Sequence, residues 1–467
     1  MSDRTPPPIL EIADAFADPV APADFPQAIL RYRNPRWADT VGLGDLTDDA
    51  WAHQFSAFPP LADNLPDPLA LRYHGHQFGV YNPELGDGRG FLFAQVRDKT
   101  GKLYDLGTKG SGQTPWSRQG DGRLTLKGGV REVLAASYLE ALGVKTSKLF
   151  SLVETGEQLV RGDEPSPTRS AVMVRLSETH IRIGTYQRAA ALDQTENLAR
   201  LIDHTVKHYH PEAEDPDMSR QASALLERVA GQVGAMIGQW MAAGFVHGVM
   251  NTDNFNLTGE TFDFGPYRFL PHSDPNFTAA YFDQQGLYRF GRQPGQGLWA
   301  LQQLAAALTL LAEPADLTEA LKAYEPSFQT SFASHTCRLI GVKTAGSLAE
   351  DLEFLTTLYA WLTESEAPWP QVFFDWFGGP ASEGRATNSP SAEYYARGDF
   401  APVRAALMGK VPDRPERLSE AYFQGDRPTS LLYDEIEALW APIAASDDWS
   451  AFTTKLEDIE TLRRALL

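Results

Sequence analysis

The chain has 467 residues, 43% hydrophobic and 22% charged, with 41 basic and 61 acidic side chains and a net charge of −20. Ordinary globular usage at this length excludes wholesale disorder and allows a sizeable core. The acidic balance argues against nucleic acid or an anionic membrane as partner, since both need a basic face, and leaves room for a local basic pocket.

One cysteine, Cys337, excludes an intrachain disulfide and a cysteine cage for zinc. No apolar run reaches the roughly 18 residues of a membrane span. Met1 to Pro22 is acidic and proline-rich, unlike a signal or transit peptide. The expectation is a cytoplasmic protein.

Residues 1–70 carry many prolines and few periodic runs, which reads as an extended arm with short helices wrapped round a core. Residues 71–190 read as a small strand-rich unit. Phe91 to Arg97 alternates, Asp98 to Gly101 turns, and Leu103 to Thr108 leads back to Lys109, a hairpin pattern. The polar, glycine-dense loop Gly110 to Gly122 follows. Val130, Val133, Leu134, Tyr138, Ala141 and Leu142 then fall at helical spacing, with Gly143 as the stop. Glu157 to Arg161 and Ala171 to Leu176 read as two further strands.

Residues 191–330 turn helical. Asp217 is placed to cap a helix whose apolar face runs Leu225, Val229, Val233, Met236, Ile237, Trp240 and Met241, closed by Gly244. The polar loop His247 to Asn256 leads to an expected short strand, Thr261 to Gly265. Leu298, Leu301, Leu304, Leu308 and Leu311 mark another buried helix face. Residues 331–467 read as mostly helical, with no chemistry signal. A hairpin, a helix and more strands, followed by helices, is an α+β pattern rather than a doubly wound sheet.

Two constellations carry chemistry. A strand-end lysine, Lys109, precedes a helix holding Glu132, the pairing by which kinase-like folds hold a nucleotide phosphate. A solvated lysine and an exposed glutamate are the bland alternative. The second is His247-Gly248-Val249-Met250-Asn251-Thr252-Asp253-Asn254 followed by Asp263-Phe264-Gly265. Asn254 stands where kinases carry their asparagine, and Asn254 with Asp263 offers the hard oxygen donors that Mg²⁺ takes beside phosphates. Val249 occupies the position of the kinase catalytic aspartate and cannot accept a proton. Either the chain is inactive or another group serves, and Asp253 is the candidate base, with loop capping as its alternative role.

Gly86-Asp87-Gly88-Arg89-Gly90 and Gly120-Asp121-Gly122-Arg123 can present backbone N–H groups and guanidinium to phosphate, or form ordinary turns. Arg175 and Arg182 suit charge-assisted phosphate contacts or surface ion pairs. His204 and His208 stand at i, i+4, a metal-ligand spacing, but no H-E-x-x-H frame surrounds them, and they read as a solvated helix end.

These motifs, with Lys109-Gly110-Ser111-Gly112-Gln113-Thr114-Pro115-Trp116-Ser117-Arg118 and Arg131-Glu132, resemble the selenoprotein O family, densely from about residue 70 to about 300. The resemblance implies a two-lobed protein-kinase-like fold: a strand-rich N-lobe, a helical C-lobe and an extra helical C-terminal region. It implies a protein adenylyltransferase that moves AMP from ATP to protein Ser, Thr or Tyr hydroxyls with Mg²⁺ or Mn²⁺. By motif, Lys109 contacts phosphate and pairs with Glu132, and Gly86, Gly88, Arg89, Asp121 and Gly122 line the nucleotide site. Arg175 and Arg182 hold the terminal phosphates, Asn254 and Asp263 bind metal, and Asp253 accepts the proton. The alternatives are UMP transfer with Mn²⁺, a γ-phosphoryl kinase, and an inactive nucleotide-binding pseudokinase scaffold. Many members carry a cysteine or selenocysteine near the C-terminus; here the lone Cys337 lies elsewhere, which puts redox control in doubt.

Overall fold

The computed structural model describes residues 6–162 and 164–467, so the first five residues of the N-terminal arm lie outside the described residues. In chain order the strands are β1 (Ala17–Pro19), β2 (Ile29–Arg33), β3 (Leu69–Leu71), β4 (Gly75–Gln77), β5 (Val80–Asn82), β6 (Leu92–Arg97) and β7 (Leu103–Lys109). They continue with β8 (Leu124–Thr125), β9 (Lys148–Leu159), β10 (Thr168–Ser177), β11 (Phe245–Val246) and β12 (Arg268–Phe269). Among the described residues, eight strands form one sheet in the order β1-β3-β6-β7-β10-β9-β2, with β8 also pairing β10. The named strand pairs are antiparallel.

The β6–β7 hairpin forms where the alternation predicts it. Its turn is tied by Asp98, whose Oδ1 accepts from the Thr100 and Lys102 backbone N–H groups at 2.8 and 3.0 Å. The sheet is buried on both faces. One face packs on the Leu126–Ala141 helix through Leu92, Leu152 and Met173. The other packs on Trp51, Phe55 and Phe58 through Phe93, Phe150 and Val174.

Residues from the N-terminal 70 supply that second layer and two strands of the sheet. The Asp48–Ala57 helix drives Trp51 and Phe55 into the core, and β1 and β2 close the two edges of the sheet. Trp51 meets Phe55 and Phe150 in tilted contacts, with ring centroids 4.6 and 4.9 Å apart, and its Nε1 donates to Ser151 Oγ at 2.9 Å.

Two strand expectations shift. The strand expected at Glu157 to Arg161 is the tail of β9, which begins at Lys148 and ends at Leu159. Thr261 to Gly265 is not a strand: Thr261 makes only an isolated bridge to Thr146, and Asp263 sits at φ 58°, where extended pairing is impossible. The local pairing instead joins β11 to β12.

The rest of the molecule is helical. Asp217 caps the Met218–Ala242 helix by accepting from the Arg220 N–H at 3.1 Å. This helix is the axis of the helical half, packed against Gln293–Leu308 and Tyr324–Leu339. No helix among the described residues is long and apolar enough to cross a membrane.

Trp51→Ala should destabilise the protein by about 3–5 kcal/mol, because it removes a fully buried indole and its hydrogen bond. A large fall in the urea midpoint is expected; a change within error would show that the indole contributes little to the core.

Candidate active site

Between the sheet and the helical half lies a cleft of about 740 Å³. It falls in the size range of small-molecule sites. Seven basic side chains line it (Arg89, Lys109, Arg118, Arg123, Arg161, Arg175 and Arg182) against four carboxylates (Asp87, Asp121, Asp253 and Asp263). A chain of net charge −20 therefore concentrates positive charge here.

Lys109 ends β7 and is 5% exposed. Its ammonium donates to Glu132 Oε1, from the Leu126–Ala141 helix, and to Asp263 Oδ1 at 2.9 Å. Thr125 caps that helix by accepting from the Gly128 N–H, which sets where Glu132 faces. Arg175 reaches from β10 to within 3.4 Å of Asp263 Oδ1, and Arg182 Nη1 donates to Asp263 Oδ2 at 3.2 Å. Three cations thus converge on one carboxylate. Burial alone would raise the Asp263 pKa, but Lys109, Arg175 and Arg182 overcome it and hold the group well below the usual carboxylate range. Nε and Nη1 of Arg175 and Nε of Arg182 are buried without a hydrogen-bond partner, leaving donor capacity in the cleft for an anion.

Asp253 lies in a 3₁₀ turn, Thr252–Asn254, and meets different surroundings. Its backbone carbonyl accepts from Arg182 Nη1 at 2.8 Å, while its side-chain Oδ1 is buried without a partner. Burial pushes its carboxyl up to about 6, against the pull of Arg182. Asn254 Nδ2 donates to the Val249 carbonyl at 2.9 Å, which fixes the amide and leaves its Oδ1 to the cleft. Asn254 and Asp263 both line the cleft and carry the oxygen donors that hard divalent cations take.

The glycine segments act partly through close approach. A Cβ on Gly86 would lie 2.4 Å from the Trp116 ring, and one on Gly122, at φ 69°, 2.2 Å from the Gly112 carbonyl carbon. The first approach joins the Gly86 segment to the Gly110–Gly122 loop and the second closes that loop on itself, and both need hydrogen at these positions. Asp121 is tied to Arg161 at 2.7 Å and is half exposed at the cleft mouth.

Of the residues singled out in the sequence, Gly86, Gly88, Arg89, Lys109, Asp121, Gly122, Arg175, Arg182, Asp253, Asn254 and Asp263 line the cleft, and Glu132 stands buried behind Lys109. His247 is a packing residue, stacked on Trp240 and within 3.2 Å of the Phe262 carbonyl. Arg123, whose guanidinium the sequence offers to phosphate, joins the basic wall, as do Arg118 and Arg161, to which no role was assigned. Arg118 and Arg123 sit inside quoted motifs, whereas nothing local marks Arg161, which reaches the cleft only through its pairing with Asp121. Tyr73 and Phe262 escaped notice because their role is to stack on Arg182, at 4.6 and 4.8 Å. His204 and His208 do not form a solvated helix end: both meet Glu11 from the N-terminal segment, and His204 is buried.

The family described as protein adenylyltransferase SelO matches residues 4–460. The protein nucleotidyltransferase YdiU of Synechocystis sp. is 42% identical over 478 residues, which covers 97% of each chain. The YdiU of Synechococcus elongatus is 41% identical over 95% of this chain and 92% of its own, and that of Vibrio cholerae 39% identical over 71% and 67%. A basic cleft beside an oxygen-donor pair, on a chain with such relatives, defines a nucleotidyltransferase, an enzyme that uses a nucleotide and a divalent metal. The chain belongs to the SelO protein adenylyltransferase family.

The raised Asp253 pKa carries a stability consequence. The folded protein holds this proton more tightly than the unfolded chain, so stability is lost as pH rises from the unfolded value of 3.8 through about 6. A shift of this size is worth about 3 kcal/mol at neutral pH. Asp253→Asn should therefore melt higher than the parent at pH 7, with the difference shrinking towards zero below pH 4. Equal melting curves at both pH values would refute the buried, unpaired carboxylate.

Proposed function

We propose that the enzyme has a two-lobed, protein-kinase-like arrangement and transfers AMP from ATP to Ser, Thr or Tyr hydroxyls of proteins. The observation that carries this reading is the unpaired, pKa-raised Asp253 beside Asn254 and Asp263, in a cleft whose basic wall has unfilled donors. The sheet with its Glu132 helix is the N-lobe, the helices around Met218–Ala242 are the C-lobe, and residues 331–467 are an added helical region.

In this reading Lys109, Arg175 and Arg182 hold the polyphosphate and stabilise the charge that spreads on it in the transition state. Asp253 accepts the proton of the attacking hydroxyl as its oxygen bonds to the α-phosphorus. The bond from that phosphorus to the bridging oxygen breaks, and pyrophosphate leaves. A divalent ion on Asn254 and Asp263 would neutralise phosphate charge and make pyrophosphate a better leaving group. A γ-phosphoryl kinase is disfavoured because Val249 cannot serve as base. A pure scaffold is disfavoured because it has no need for a carboxylate poised near 6 beside a metal pair.

The test is transfer of label to a protein acceptor from ATP labelled on the α- or the γ-phosphate, with Mg²⁺ or Mn²⁺. Label from α alone is expected; label from γ alone would make the protein a kinase. α-Labelled UTP working in place of ATP would keep the chemistry and change the nucleotide.

Asp253→Asn should slow transfer roughly a hundred- to ten-thousandfold with nucleotide binding kept. Asp263→Ala should abolish metal-dependent transfer. Because Asp253 must be ionised to act, the rate should rise with pH and level off above about 6. A rate independent of pH between 5 and 7 would rule Asp253 out as the base.

A further inference from the structure

The Thr195–Tyr209 helix carries His204 and His208 one turn apart on the face turned towards the N-terminal segment. Glu11 ends the 3₁₀ turn Pro8–Glu11 and sets its carboxylate against both rings. Its Oε2 lies 3.2 Å from His204 Nδ1 and 2.9 Å from His208 Nε2. The three potential ligand atoms lie within 4.8 Å of one another. Ligand atoms at zinc–nitrogen and zinc–oxygen bond lengths round a tetrahedral ion stand about 3.3 Å apart, so small side-chain shifts would close this group on an ion. The His204 side chain is 1% exposed, that of His208 12% and that of Glu11 42%. Two ligands are therefore held by packing, and the open side faces solvent.

Neutral imidazole and ionised carboxylate are the forms that bind metal. Lys207 Nζ holds the other carboxylate oxygen, Oε1, at 2.7 Å, and Arg200 donates to the Glu11 carbonyl and to Asp14. These cations orient Glu11 and weaken the attraction for a positive ion.

We propose that Glu11, His204 and His208 bind a zinc-class divalent transition-metal ion, with water as fourth ligand, at a site separate from the nucleotide cleft. The ligand set, two imidazoles and one carboxylate, suits zinc rather than the magnesium or manganese of an all-oxygen site. The ion ties the N-terminal segment to the helical half. That segment continues into β1 at the edge of the sheet, and its Asp18 accepts from Trp116 Nε1 at 3.0 Å, beside the cleft. The second shell is incomplete: His204 Nε2 is buried without a partner. A ligating imidazole usually donates from its other nitrogen, so affinity here is lower than in a closed structural cage.

The experiment uses the full chain, stripped with a chelator, desalted, and free of nucleotide and magnesium. Zn²⁺ is titrated against a competing chromophoric chelator, and Co²⁺ is added separately to read its visible spectrum. One tight equivalent of Zn²⁺, a tetrahedral-type Co²⁺ spectrum and a rise in melting temperature are expected. Glu11→Gln and His208→Asn, both at partly exposed positions, should each weaken Zn²⁺ binding roughly tenfold or more and lose the thermal shift. Their circular dichroism without metal should match the parent, which separates ligand loss from misfolding. Asp263→Asn should keep the equivalent. Binding that survives both ligand variants, or vanishes in Asp263→Asn, would overturn the proposal by moving the ion elsewhere. Absence of a tight equivalent would leave the group as a hydrogen-bonded clasp only.

Discussion

The cleft is organised around one buried carboxylate with too many cations. Asp263 receives Lys109 from β7, Arg175 from β10 and Arg182 from the segment that opens the Ile183–Ala191 helix. Glu132 and Asp87 share the load, yet donors on both arginines stay unsatisfied. Removing such charges from water is expensive, and an unbalanced cluster is worse than a matched pair. The fold tolerates it because two sheet strands, a helix and a loop hold the groups in place together. An anion that completes the cluster is therefore bound with its hydrogen-bond partners already positioned, and by linkage it stabilises the folded chain.

The two aspartates of the loop show how position within one small site separates their chemistry. Asp263 is surrounded by guanidinium and ammonium groups and stays ionised. Asp253, ten positions earlier, meets Arg182 through its backbone carbonyl, and its carboxylate oxygen has no donor. Its pKa rises to about 6. One carboxylate is thereby fixed as a charge and the other is free to take a proton near neutral pH, the division of labour that the proposed reaction asks of them. The valine at position 249 fits the proposed arrangement, in which Asp253, on the turn after it, takes the proton. Asp263 reaches its place only through a left-handed backbone, φ 58°, a conformation unusual for a non-glycine residue and typical of functional sites.

What the sequence makes legible here follows from range. The hairpin, its Asp98 turn, the Glu132 helix and the Asp217 cap are written in contiguous residues, and reading them needs only periodicity and turn chemistry. The motif residues of the cleft were equally readable, because Lys109 with Glu132 and Asn254 with Asp263 are chemistry-bearing types at telling spacings. The edges of the sheet were not. β1 spans three residues and β2 five, with no alternation, and their partners Leu69–Leu71 and Ser151–Glu154 lie far along the chain. Arg161 and Glu11 were hidden for the same reason, since each gains meaning from one distant contact. The expected strand at Thr261 to Gly265 failed where function overrides propensity: the apolar spacing suits a strand, but the chain turns there to aim Asp263 at Lys109.

Residues 331–467, silent in the sequence, acquire a physical role from what they touch. The Ser450–Leu466 helix packs on the Leu126–Ala141 helix, the one that carries Glu132. Lys127 at the start of that helix pairs with Glu437 at 2.8 Å, and Tyr138 near its end donates to the Thr429 carbonyl at 3.1 Å. Tyr433 lies 6.0 Å from the Arg131 guanidinium and 3.9 Å from that of Arg268. Further up, Asp447 joins Arg31 and Arg169, which also hold Glu154, so the same region grips β2, β9 and β10. In kinase-like sites the lysine–glutamate pair forms only when its helix is in place, and displacement of that helix is a common way to switch them off. Here the C-terminal helices brace that helix from behind, so the position of Glu132, and through it Lys109, is built into the resting fold.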